Sequence, residues 1–133
     1  MRNQLATLRP DINVIDKNCN SGKIEEFQNN TLRPILKFQN SLMLLIFQNH
    51  IEKYKVSFNN TNNSKRKIYI EKTIHSDKTL RFLLLGVVIG HFTNIEWKEY
   101  FLHRKELNRH ILNLIIHQLQ DQISNESLSI DYK

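Results

Sequence analysis

Three glutamate–histidine pairs have the residue types and the spacing that metal chemistry requires. They are Glu71 with His75, Glu99 with His103, and Glu106 with His110. Each pair has i, i+4 spacing, which on a helix places both side chains on one face, within reach of a common ion. None has the Glu-x-x-His spacing of di-iron carboxylate bundles, and no apolar neighbours require them to project inward. The alternatives are the metal site of a metal-dependent enzyme and, as the simpler interpretation, solvated contacts between charged side chains.

The basic segment 65–81 is a second candidate site. Its residues that suit a nucleic-acid contact are Lys65, Arg66, Lys67, Tyr69, Lys72 and Arg81. Lysine and arginine neutralise phosphates, and an aromatic ring can stack on a base. No helix-turn-helix, zinc-finger or RNA-binding signature accompanies them. A solvated helix face, or a contact with an acidic protein, is therefore the other interpretation of this segment.

A third candidate is the stretch 82–90, nine apolar or glycine residues in which Gly86 and Gly90 are four positions apart. Nine residues are too few to cross a bilayer, which takes about 20. The glycines also lack the strand-to-helix context of a phosphate-binding loop. We therefore expect Gly86 to be buried where another backbone approaches closely, and Gly90 either to share that packing or to end the helix.

These candidate sites need a framework, and the composition of the chain predicts a helical one. The chain has 133 residues, is 40% hydrophobic and 24% charged, and contains only 3 glycines and 2 prolines. Apolar residues recur at helical spacing across residues 24–124, which predicts one all-α domain, a small bundle of four to five helices. A loosely ordered N-terminal arm, 1–23, and a C-terminal tail, 125–133, flank this domain.

Local signals predict where several helices begin. Thr31 and Ser64 are expected to cap helices, and the spacing of Thr93 and Glu96 is that of a capping box. The last helix has the clearest pattern, an apolar residue at every fourth position. These residues are Leu107, Ile111, Ile115, Leu119 and Ile123. The stripe predicts an amphipathic helix with one buried face.

The block 42–47 is apolar at all six positions. A helix that is apolar on every side must be covered on every side, so this segment is either central or at a subunit contact. Together with the glycine pair it defines the residues expected to mediate packing or association. They are Leu42, Leu45, Ile46, Phe47, Gly86 and Gly90.

Three segments resemble those of a group of short, functionally uncharacterised bacterial proteins, some of which carry the label glyoxalase. They are TLRPILKFQNSL (31–42), LLLGVVIGHFTNIEW (83–97) and NRHILNLIIHQLQDQI (108–123). The resemblance covers about residues 5–123 and implies no catalytic role for its motifs. Glyoxalase I proteins use ligands on the strands of paired βαβββ modules, and glyoxalase II proteins carry a His-x-His-x-Asp-His motif. This chain has neither feature, so no motif supports a glyoxalase activity.

The sequence as a whole favours a non-enzymatic helical bundle that acts through protein–protein association, with homo-oligomerisation as the main expectation. Because no cofactor motif and no convergent catalytic set are visible, neither a catalytic residue nor a cofactor is expected. The net charge of +6 keeps two alternatives open, nucleic-acid binding through residues 65–81 and an acidic protein partner. The N-terminus lacks the apolar core of a secretory signal, so a cytoplasmic location is expected, without a membrane partner.

Overall fold

The computed structural model describes residues 2–9, 22–54 and 62–125, and in these ranges the chain forms helices and no strand. After a short 3₁₀ helix, Arg2–Leu8, come six longer helices. They are α1 (residues 23–38), α2 (Asn40–Lys53), α3 (Asn63–Ser76), α4 (Lys78–Ile89), α5 (Asn94–Leu102) and α6 (Arg104–Asn125). The all-α prediction is confirmed, with six helices in place of the expected four to five.

Besides the break at Asp77, two single-residue breaks separate helices that lack a glycine or proline between them. Gln39, with φ −98° and ψ 15°, ends α1 and begins α2. His103, with φ −124° and ψ 34°, lies between α5 and α6. Because one residue outside the helical region is enough to redirect the chain, neither break has a compositional signal, and both were missed from the sequence.

Helix α1 runs without interruption through the position where a cap was predicted. Its central residues, Gln28–Leu32, form a π turn, in which the amide of Arg33 donates to the carbonyl oxygen of Gln28. Pro34, which has no amide hydrogen, follows directly. The predicted cap at Thr31 is therefore wrong, and the Thr31 hydroxyl instead donates to Glu96 Oε2 at 3.0 Å.

Three other helix starts have a side-chain cap. Asn62, not the predicted Ser64, caps α3, and its Oδ1 accepts from the Lys65 amide at 2.9 Å. Asp77 caps α4, and its Oδ1 accepts from the Leu80 amide at 3.1 Å. The predicted capping box is confirmed, since Thr93 Oγ1 accepts from the Glu96 amide and Glu96 Oε1 accepts from the Thr93 amide.

Helix α6 is the centre of the bundle. The five stripe residues predicted to be buried are each at most 1% exposed. Helix α6 packs against α3 and α4, and with fewer contacts against α1, α2 and α5. Among the described residues no helix has both the length and the apolar character needed to cross a membrane.

The described part of the N-terminal arm is attached to the bundle. Residues 2–8 form the 3₁₀ helix, and the guanidinium of Arg9 pairs with Glu96 at the start of α5. The arm was expected to be loosely ordered unless it docks on the body, and for residues 2–9 a long-range ion pair provides that docking. Of the predicted tail 125–133, Asn125 ends α6. Residues 10–21 and 126–133 lie outside the described residues.

Candidate association surface

From Phe82 onward helix α4 is apolar around its whole circumference, but the described residues cover only one side. Its buried residues are Leu80, Leu84, Leu85 and Val88. The opposite side exposes Phe82 and Leu83, with Gly86 and Gly90 between them. At about 100° per residue, Gly86 points away from Leu84 and Val88, both fully buried. An apolar helix face is thus left open.

The expected burial of Gly86 inside the chain is wrong. Gly86 is exposed, and a Cβ added to it would meet no atom within 4 Å. Gly90 is also exposed and ends α4, as one of the two predictions for it proposed. Its amide donates to the carbonyl oxygen of Gly86 at 2.9 Å. Gly86 therefore presents bare backbone to the outside of the described structure.

The apolar block of α2 is divided between the core and the surface. Leu42 and Leu45 are exposed and Ile46 is half-buried, whereas Phe47 is fully buried. The Phe47 ring lies 6.4 Å from that of Tyr69, centroid to centroid, in an edge-to-face arrangement. Phe47, which was expected to mediate packing or association, therefore packs in the core.

The open sides of α2 and α4 adjoin. Ile46 and Lys53 of α2 and Thr79 and Leu83 of α4 line one open groove of about 290 Å³. We call the exposed apolar and glycine residues of α2, of α4 and of the α4 C-terminal cap the glycine face. Its members are Leu42, Leu45, Phe82, Leu83, Gly86 and Gly90. Of the six residues expected to mediate packing or association, four thus belong to the glycine face, Ile46 lines the groove and Phe47 lies in the core.

The same groove contains a histidine–aspartate contact. His50 Nδ1 lies 3.6 Å from Asp77 Oδ2, while Asp77 Oδ1 accepts from the Leu80 amide. Burial lowers the pKa of His50 below its ordinary value of 6.5, and Lys53 lowers it further, whereas the charge of Asp77 opposes both. His50 is therefore expected to be neutral at pH 7.

Replacing Asp77 with Asn is expected to lower the pKa of His50 further, because the opposing negative charge is lost. Asparagine still caps α4, so the helix start is retained. The measurement is an NMR titration of the His50 ring protons. The pKa of His50 is lower in the folded protein than in the unfolded chain, so the unfolded chain binds the proton more readily. The stability that His50 contributes is therefore complete above pH 6.5 and is lost on acidification. A pKa that is unchanged or raised in D77N would contradict this arrangement.

The basic residues of segment 65–81 do not form one open surface with Tyr69. Lys65, Lys67 and Lys72 are exposed, but the half-buried Tyr69 packs on Phe47. Arg66 and Arg81 donate to backbone oxygens, to Ile123 at 3.3 Å and to His75 at 2.7 Å. The ring expected to stack on a base is thus engaged within the protein.

The glutamate–histidine pairs lie in two places. Glu71 and His75 are exposed on α3, whereas the other two pairs flank the junction of α5 and α6. There His110 Nδ1 lies 3.1 Å from Gln28 Oε1 of α1. Across residues 2–9, 22–54 and 62–125, no three histidine, cysteine, aspartate or glutamate side chains come together in a geometry that fits a metal ion.

A buried ion pair is the strongest polar feature that sequence reasoning missed. Arg9 Nη1 and Nη2 contact the two carboxylate oxygens of Glu96, each at 2.7 Å. Arg9 also donates to the carbonyl oxygen of His91, whose Nε2 accepts from Gln39 Nε2 at 2.6 Å. The capping box predicted the position of Glu96 at a helix start. No local sequence pattern predicts its pairing with Arg9, which is 87 residues away in the sequence.

The comparison with known proteins adds no relative. No protein-family description, no curated protein and no solved structure matches this chain. The geometry of the described residues therefore carries the functional argument alone.

Proposed function

We propose that this protein acts by self-association, with two copies packing through the glycine face. One observation carries the proposal: α4 exposes Phe82 and Leu83 on either side of Gly86, where an added Cβ would meet no atom within 4 Å. Soluble proteins seldom leave a contiguous apolar helix face open unless it binds something. Gly86, in the middle of the helix, also costs about 1 kcal/mol relative to alanine, which indicates a compensating contact.

A second copy of the chain suits the shape of this face. Two α4 helices that cross at Gly86 and Gly90 can approach closely, because neither glycine has a side chain to separate the backbones. Leu83 and the neighbouring Leu42 then pack beside the crossing point. A two-fold arrangement uses the same patch on both copies, so the contact closes and does not propagate.

The charged side chains next to the glycine face lie at its edge and not at its centre. Lys78 Nζ and the Arg81 guanidinium carbon lie 5.6 Å and 5.7 Å from the centroid of the Phe82 ring. At these distances each cation interacts with the ring while remaining near solvent. The apolar centre can thus be buried without desolvating an ion, which is the arrangement that stable interfaces favour.

Replacing Gly86 with Leu is expected to weaken self-association by roughly a hundredfold, because the new side chain separates the two backbones. The fold should be retained, since no atom lies within 4 Å of the added Cβ. Leucine is also a better helix former than glycine, by about 0.8 kcal/mol. Sedimentation velocity and light scattering over a range of concentrations measure the association, and thermal unfolding measures the fold.

Asn113→Leu is the matched control, because Asn113 is exposed on α6, outside the glycine face. It adds the same side chain to a helix and should leave the association constant unchanged. The proposal is abandoned if the wild-type protein stays monomeric at every accessible concentration. It is also abandoned if Gly86→Leu associates as strongly as the wild type.

A further inference from the structure

Helix α5 exposes most of its apolar residues. Four large side chains lie on its outer side, namely Ile95 (71% exposed), Trp97 (45%), Phe101 (57%) and Leu102 (77%). We call these four residues the α5 face. Only Tyr100 of this helix is buried. A single exposed apolar residue needs no explanation, but four on one nine-residue helix form a patch that no described residue covers.

The α5 face consists of two rows with a cation between them. Trp97 and Phe101 are one turn apart, and their ring centroids lie 6.0 Å apart with the ring planes inclined by 37°. Ile95 and Leu102 are two turns apart on the other side of the exposed Lys98. A partner that covers both rows therefore contacts aromatic and aliphatic groups together.

The charges around this face are mostly positive. The Arg104 guanidinium carbon lies 5.7 Å from the centroid of the Phe101 ring, and Lys98 is exposed between the two rows. The exposed Lys105 and Glu106, which follow Arg104, carry opposite charges. Glu99 is the one exposed acid on α5. Two copies facing each other through this surface would place like charges together, whereas an acidic partner would be attracted.

We propose that the α5 face docks a helical segment of a different protein, one with apolar side chains on one side and acidic residues flanking them. Trp97 and Phe101 supply the aromatic anchors that dominate such interfaces, and Lys98 and Arg104 pair with the flanking acids. A single-stranded nucleic acid would stack on the aromatic row. It would leave Ile95 and Leu102 in water, so a protein segment suits the whole face better.

The α5 face is separate from the glycine face, so this proposal stands or falls independently of self-association. Its residues belong to α5, whereas the glycine face is formed by α2 and α4. A Gly86→Leu protein can therefore be used for the binding experiments described next. In that background the change of oligomeric state does not enter the result.

The experiment selects partners by chemistry and reads their binding directly. A phage-displayed library of random peptides, long enough for about four helical turns, is selected against the full chain. Enriched peptides are synthesised and titrated while tryptophan emission is recorded. Trp97 is the only tryptophan in the chain, so its emission reports on the α5 face alone. The enriched peptides are expected to combine apolar residues with Asp or Glu and to shift the emission to shorter wavelength.

Three variants locate the binding. Phe101→Ala should weaken it by roughly thirtyfold, as expected for an aromatic anchor. Lys98→Glu should weaken it by about tenfold, because attraction becomes repulsion. Ile68→Ala is the matched control, since Ile68 is an exposed apolar residue on α3, and it should bind as the wild type does. Circular dichroism checks that all three remain helical.

Several results would overturn the proposal. One is the absence of enriched peptides, or enrichment of basic ones. Another is peptide binding that Phe101→Ala leaves unchanged. Emission already typical of a buried tryptophan in the free protein would show that the face is covered by the protein itself. A shift caused by oligothymidylate but not by the peptides would assign the face to nucleic acid.

Discussion

Replacing Glu96 with Gln should lower the free energy of unfolding by about 3 kcal/mol. The substitution leaves the guanidinium of Arg9, whose side chain is 7% exposed, without its counter-charge. Breaking a buried ion pair by removing one partner costs about 3–5 kcal/mol, since the remaining charge stays away from water. The Glu96 side chain is 17% exposed, so solvent reaches part of the site and the lower end of that range is expected.

Glu99→Gln serves as the matched control, because it makes the same chemical change at an exposed position of the same helix. It should alter the free energy of unfolding by less than about 0.5 kcal/mol. Chemical denaturation of both variants beside the wild type gives the comparison. Equal losses in the two variants would show that the Arg9 pair does not stabilise the fold.

The pH dependence of stability follows from the same carboxylate. Burial by itself raises the pKa of Glu96, but hydrogen bonds from Arg9, the Thr93 amide and Thr31, together with the charge of Arg9, lower it below 4.5 overall. The unfolded chain therefore binds the proton more readily. The stability from Glu96 is complete above pH 4.5 and is lost as the pH falls through the folded pKa. In Glu96→Gln this part of the acid-induced loss should be absent.

Replacing Phe47 with Ala is expected to have the second large effect, a loss of about 3–5 kcal/mol in the free energy of unfolding. Phe47 is 0% exposed and packs against Tyr69 and His50, so the truncation leaves a cavity in the core. Leu45→Ala, two residues earlier at a side chain 41% exposed, should cost less than about 1 kcal/mol.

The two variants also separate folding from association. Leu45→Ala should weaken self-association while the monomer stays folded, because Leu45 belongs to the glycine face. Phe47→Ala should lower the unfolding temperature first, and any loss of association should follow from unfolding. Thermal unfolding and sedimentation velocity on both variants distinguish these effects. If Phe47→Ala is as stable as Leu45→Ala, the assignment of Phe47 to the core is incorrect.

Local interactions explain which features were predictable from the sequence. The capping box at Thr93 and Glu96 depends on two residues three positions apart, and their hydrogen bonds form wherever the helix begins. The stripe of α6 repeats every fourth residue over more than four turns, so only one face can be apolar. Both features were predicted correctly because competing tertiary contacts do not alter them.

The prediction failed where several orientations satisfied the same local pattern. From Phe82 onward helix α4 is apolar on all sides, so its periodicity does not say which side meets the core. Gly86 was expected to be buried and lies outside. For the block 42–47 the sequence left a central position and a subunit contact open, and packing placed Phe47 in the core while Leu42 and Leu45 stayed exposed. In the same way, a threonine beside a helix start is a plausible cap. Here the π turn continues α1 through Thr31, and the Thr31 hydroxyl donates to Glu96 instead of capping a helix.

The helical class and the capped starts of α3, α4 and α5 were thus decided by the order of the residues, because hydrogen bonds and apolar periodicity act over three or four positions. The orientation of α2 and α4, the pairing of Arg9 with Glu96 and the exposure of Ile95 and Leu102 were decided only when the helices packed. Those outcomes depend on which apolar surfaces fill the limited space around α6. Residues far apart in the chain compete for that space, so no local pattern predicts the result.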